Sequence, residues 1–160
     1  MTYVNIFQRF YKSIFDRYFS SYYLDEGFWG ALGFLLLNFI LVQIPIFIFY
    51  IRDKSLFFVE IVIDKHDPIY YYIFFIYYLQ VAFFTLMVCV FAASIVSKLY
   101  MVFRGSDMTY GDAFKIGCYA MIMPTWVLGL LFAFRLQTLW TLALIPVALL
   151  TILRCSDSVY

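Results

Sequence analysis

The side chains able to do chemistry are few, and their placement argues against catalysis. His66 is the single histidine and lies between Asp64 and Asp67, with Glu60 upstream. An imidazole among carboxylates is the usual start of a general acid–base pair or a metal site. Here all four fall in one short polar stretch, and a solvated histidine explains them more simply. Cys89, Ser94 and Ser97 offer nucleophilic atoms, but no base is near them in sequence to activate one. Cys89, Cys118 and Cys155 contain no CxxC spacing, so they read as soft packing groups and neither a metal site nor a structural disulfide is expected. Gly105-Ser106 lacks the lysine that closes a phosphate loop and reads as a turn. The expectation is a protein that is not an enzyme, with no catalytic residue, cofactor or metal.

The other polar groups of interest are amides. Asn38 and Gln80 sit deep in apolar surroundings, at similar distances from the same end of two successive helices. Antiparallel neighbours would bring them to one depth, facing each other or a shared partner group. Such a hydrogen bond between membrane helices contributes about 0.6 kcal/mol, at most nearly 2. The competing reading is a polar site, with Asn38, Gln43, Gln80 and Thr85 lining an oligomeric pathway.

These residues are carried by four uncharged stretches, 27–51, 68–97, 116–134 and 136–153. About 18 or more apolar residues without charge suffice to cross the hydrocarbon core of a bilayer. Composition agrees: 66% of the chain is hydrophobic and only 13% is charged, against roughly 25% in a soluble domain. The net charge of +1 leaves no basic footprint for nucleic acid. The expected fold is therefore all-α: a polytopic membrane protein with four transmembrane helices at 27–50, 69–97 (extending to 103), 113–134 and 138–153. These lie in one domain, 27–154, followed by a tail at 155–160. The first apolar run begins after a charged segment and ends without a small-residue cleavage site, so no cleavable signal peptide is expected.

Residues 1–26 read as an amphipathic interfacial helix and hinge. Aromatic and aliphatic side chains recur at helical spacing from Tyr3 to Phe19, with polar ones between. Phe7 and Phe15 would enter the lipid, while Arg9, Lys12 and Arg17 would turn toward headgroups. Docking on a partner subunit is the alternative. Within the spans, Gly30 and Gly33, then Gly117 and Ala120 near Pro124, would allow close approach of another backbone. Pro45 should bend the first span. The stretch 56–64 alternates with a period of two and reads as an extended or interfacial segment. Asp67-Pro68 is a helix start, the Gly105–Asp107 turn a stop, and Thr109-x-x-Asp112 a capping box with Asp in place of Glu. Lysines and arginines place both termini inside: Arg9, Lys12, Arg17, Lys98, Arg104, Lys115 and Arg154 on that side, against Arg52, Lys54, Lys65 and Arg135.

Residues 100–126, YMVFRGSDMTYGDAFKIGCYAMIMPTW, carry a glycine turn, an aromatic amphipathic helix start, Tyr-Ala and then proline. This region resembles bacterial Yip-type multispanning membrane proteins, through Tyr110, Phe114, Tyr119, Ala120 and Pro124. Members of that family usually carry more spans and are longer. The resemblance implies a non-enzymatic protein of a bacterial cytoplasmic membrane that organises other membrane components. Nothing in this chain reads a GTPase, so the trafficking role of eukaryotic relatives does not follow. The expected function is a non-catalytic subunit or scaffold of a membrane complex, partnered by the bilayer and by other subunits or further copies of itself. A transporter subunit or small channel is the alternative, and a lipid-acting enzyme a third.

Overall fold

Local signals in the chain account for most helix ends. The computed structural model describes residues 8–9, 11–12, 27–53, 68–133 and 141–157. The stretch 56–64, His66 with its acidic neighbours, and Phe7, Phe15 and Arg17 lie outside the described residues. Among the described residues from 27 onward five helices follow one another: α1 (Phe28–Asp53), α2 (Pro68–Phe103), α3 (Tyr110–Ala120), α4 (Ile122–Ala133) and α5 (Thr141–Asp157). Among the described residues there is no strand.

α2 ends where a glycine permits it. Gly105 has φ +77. Its N–H donates to the Val102 carbonyl at 3.0 Å, and that of Ser106 to Met101 at 3.0 Å. These are the two bonds of a Schellman cap, which needs a left-handed residue at this position. A Cβ on Gly105 would meet nothing within 4 Å, so any penalty for Gly105→Ala comes from the backbone alone. The variant is expected to lose about 1 kcal/mol of stability in reversible detergent unfolding. The opposite end of the turn is equally local. Thr109 caps α3 by accepting from the Asp112 N–H at 3.2 Å, while its hydroxyl donates to the Asp112 carboxylate at 2.6 Å.

The sequence predicts one helix across 113–134, but two are found. The chain turns at Met121, whose N–H still bonds the Gly117 carbonyl at 3.1 Å. Pro124 is the cause: it has no N–H to offer the Ala120 carbonyl. Thr125 then binds the Met121 carbonyl twice, through its N–H at 3.1 Å and its hydroxyl at 2.6 Å. Pro45 and Pro146 sit inside α1 and α5 without ending them.

Among the described residues three stretches are long and apolar enough to cross a membrane: Phe28–Ile48, Phe75–Phe103 and Tyr110–Leu131, the last including the Met121 turn. Four were expected. α5, with 17 residues, is not among those found in the described residues.

α3 is the centre of the bundle, and Ala113, Ile116, Gly117, Cys118, Tyr119 and Ala120 on it are buried. It packs on α2 and α1; α4 packs mainly on α1, and α5 lies against α2, α3 and α4. Phe114 joins the first three helices, stacking on Phe28 of α1 (4.7 Å) and meeting Phe91 of α2 (5.6 Å). In lipid such contacts stabilise through packing density, because tails are as apolar as the side chains they replace. That also explains why Trp29 and Phe103 can stay 79% and 88% exposed in a stable fold.

Candidate functional site

The described residues assemble no catalytic constellation, so the points of interest are polar groups and close approaches inside the bundle. Asn38 is 1% exposed. Its amide donates to the Phe34 carbonyl one turn back at 2.7 Å, and its Oδ1 accepts from the indole N–H of Trp126 on α4 at 3.0 Å. A buried indole almost always needs such an acceptor. Asn38 therefore joins α1 to α4. The expected Asn38–Gln80 pair is not formed: Gln80 is exposed, on the half of α2 before Leu86, where no described side chain is buried. The ring pairs Phe39–Phe83 and Phe47–Phe75 between α1 and α2 set Gln80 opposite the turn of Gln43, more than a turn from Asn38, so neither depth nor rotation brings the two amides together.

Gly117 lies where α3 crosses α2. A Cβ there would strike Ser94 Oγ and come within 2.8 Å of the Val90 carbonyl oxygen and 3.2 Å of the Ser94 nitrogen. Only glycine fits without movement. Ser94 Oγ donates to that same Val90 carbonyl at 2.7 Å, so its hydroxyl serves the crossing. Gly129, outside the expected contact set, does the same for α4 against Val42 of α1. Gly33 differs from expectation: it is exposed and a Cβ would meet nothing within 4 Å. Gly30 is half-buried, its N–H bonded to the Gly27 carbonyl at 2.9 Å in the first turn of α1. Ala120 is buried at the end of α3, and Pro124 is half-buried.

Arg9 departs from its expected place among headgroups. Its guanidinium lies 4.2 Å from the centre of the Phe34 ring and donates to the Tyr119 hydroxyl at 3.2 Å. Phe34 and Tyr119 are 6% and 2% exposed, so a cation from the N-terminal segment has entered the α1–α3 seam. A guanidinium is flat and weakly hydrated, which lets it stack on rings where an ammonium would stay in water. Tyr11 and Lys12 stay exposed. Arg9→Ala is expected to loosen the N-terminal segment by about 1 kcal/mol. That should appear as severalfold faster amide exchange there, with α4 and α5 unchanged.

The charged end of the bundle ties α2 to α5. Asp157 accepts from the Tyr100 hydroxyl at 2.7 Å and pairs with Arg104 at 3.0 Å, whose guanidinium leans over the Tyr100 ring at 4.9 Å. Lys98 lies over Tyr110 at 3.2 Å, and Lys115 pairs with Asp112 at 2.8 Å. These groups are partly solvated, where ion pairs contribute little, about 0–1 kcal/mol each; they set register more than stability.

A groove of about 560 Å³ runs between α1 and the first half of α2. Gln43 and Gln80 are its only polar lining residues among those described. None of the three cysteines is in a disulfide: Cys89 is exposed, Cys118 buried and Cys155 between these. Among the described residues no group of three His, Cys, Asp or Glu side chains could hold a metal ion. Comparison of the chain with protein-family models, with curated proteins and with solved structures finds no match.

Proposed function

We propose that the chain is a non-catalytic integral membrane protein that serves as a subunit or scaffold of a larger membrane complex. The observation that carries this reading is the state of α2. It has 36 residues, or roughly 54 Å at 1.5 Å per residue, well beyond a hydrocarbon core of about 30 Å. Only 17% of its most apolar window is buried, against 44% and 50% for the other two candidate spans. A helix this long and this uncovered can offer a lateral surface to other helices and project beyond the lipid.

The polar groups support the same reading over transport. Asn38 is committed to Phe34 and Trp126. The hydroxyls of Thr85 and Ser94 bond their own helix at Val81 and Val90. That leaves no continuous polar path through the described bundle, whereas intramembrane pathways are lined by ionisable or water-bearing groups. A fourth span built on α5, with both termini on the inner side of a bacterial cytoplasmic membrane, completes the proposed topology. The Asp157 link between the C-terminal ends of α2 and α5 agrees with that arrangement. Kinship with Yip-type proteins belongs to the same proposal and rests on residues 100–126 alone.

Mild detergent extraction followed by native mass measurement tests the assignment. Co-purification with different subunits at fixed stoichiometry is the expected result. A symmetric homo-oligomer would move the reading to a channel, and a lone monomer would overturn both.

A further inference from the structure

The groove between α1 and α2 has the shape of a slot. The ring pairs Phe47–Phe75 and Phe39–Phe83 bridge its walls, with centroids 4.3 Å and 6.3 Å apart. Rings that close leave no room between themselves, but the two pairs stand eight residues apart on α1, roughly 12 Å. A single hydrocarbon chain fits that gap where a helix about 10–12 Å across with its side chains does not. The α1 wall runs from Leu36 to Ile48, roughly 18 Å along the helix, and lies within the candidate spans, so the slot opens sideways at bilayer depth.

Gln43 makes this more than a void to be filled. It is 8% exposed, and its Oε1 is buried without a hydrogen-bond partner. An amide oxygen taken out of water without a donor destabilises the fold that buries it. Gln80 stands on the opposite wall. Both lie about five residues, or roughly 7.5 Å, inside the same end of their spans, at Ile48 and Phe75. The Gln43 oxygen calls for a donor, such as the hydroxyl or amide N–H that some lipids carry where tail meets headgroup, and Gln80 stands at the same depth beside it.

We propose that this slot is a binding site for a membrane lipid, with one hydrocarbon tail in the gap between the Phe39–Phe83 and Phe47–Phe75 pairs and a hydroxyl or amide N–H at the head of that tail donating to Gln43, beside Gln80. The tail fills space that neither helix reaches, and the donor satisfies the Gln43 oxygen.

The test uses the full chain in phosphatidylcholine vesicles doped with a phosphatidylcholine that carries a photoactivatable diazirine in its acyl chain. Adducts are expected on the slot walls in at least about fivefold excess over the equally apolar outward face of α2 at Val88, Phe91 and Ile95. Even labelling of all exposed surface would overturn the proposal. Leu79→Trp, which fills the slot, should erase the excess while leaving outward-face labelling intact; an excess that persists also overturns it. Unlabelled diacylglycerol, whose free hydroxyl can donate to Gln43, should compete better than its O-methyl ether in the wild type and equally well in Gln43→Leu. Equal competition in both proteins would remove the amides from the site. Disulfide trapping of two copies through Ile44→Cys would place a second chain there and overturn the lipid assignment.

Discussion

Gly117→Ala is expected to destabilise the bundle by about 1–2 kcal/mol, although alanine is the better helix former. Two effects oppose each other. Gly to Ala inside a helix favours folding by roughly 1 kcal/mol. Overpacking a close contact costs about 1–3 kcal/mol, and here the new methyl would strike Ser94 Oγ and lie 2.8 Å from the Val90 carbonyl. The hydroxyl could rotate away, but the carbonyl belongs to the α2 backbone and can yield only if the whole crossing opens. The clash should therefore win. Gly33→Ala supplies the opposite case: its methyl would meet nothing within 4 Å, so it should be neutral or stabilising by up to about 1 kcal/mol. Reversible unfolding by SDS in mixed micelles measures both. Adding Ser94→Ala to Gly117→Ala should recover part of the loss, because the Val90 oxygen remains in the way. Effects of the same sign at the two glycines would show that α3 does not approach α2 as closely as the geometry has it.

The contrast between these glycines also shows what a membrane sequence can reveal. Gly117 and Gly33 look alike in sequence, each among apolar neighbours. In water, the hydrophobic period of a helix marks its buried face. In lipid both faces are apolar, so the period fades and rotation about the helix axis is lost from view. Length survives: the uncharged runs mark α1 and α2 with their approximate extents. Local backbone chemistry survives as well, since the Gly105 stop and the Thr109 cap each depend on a few adjacent residues. The turn at Met121 sits between these cases. Pro124 is plain in the sequence, but a proline can sit inside a helix or divide it, as Pro45 and Pro124 respectively illustrate. Contacts that depend on rotation were hidden: Asn38 with Trp126, Gly129 with Val42, and Arg9 with Phe34 and Tyr119. The indole N–H of Trp126 was the one legible hint, because a Trp inside an apolar helix needs an acceptor and few side chains here can provide one.

Asn38→Leu should cost about 1–3 kcal/mol, more than the usual worth of one interhelical hydrogen bond. Such bonds average about 0.6 kcal/mol between membrane helices, because the separated helices find other partners. The excess comes from what is left behind. Leucine keeps the volume near Asn38 but has no acceptor, so the Trp126 N–H, 3.0 Å from Asn38 Oδ1, would lose that acceptor. Taking the acceptor from a half-buried donor costs about 1–3 kcal/mol. The Phe34 carbonyl adds little, since it also accepts from the helix backbone and an oxygen with two lone pairs tolerates the loss of one. Trp126→Phe removes the orphaned donor, so adding it to Asn38→Leu should restore about 1 kcal/mol relative to the sum of the single losses. Gln80→Leu decides between the two arrangements of the amides. With Asn38 bound to Trp126 and Gln80 exposed, the Gln80 variant should unfold like the wild type and show no coupling to Asn38→Leu. A Gln80 loss equal to that of Asn38, with coupling between them and none to Trp126, would restore the amide pair and rotate α1 away from α4.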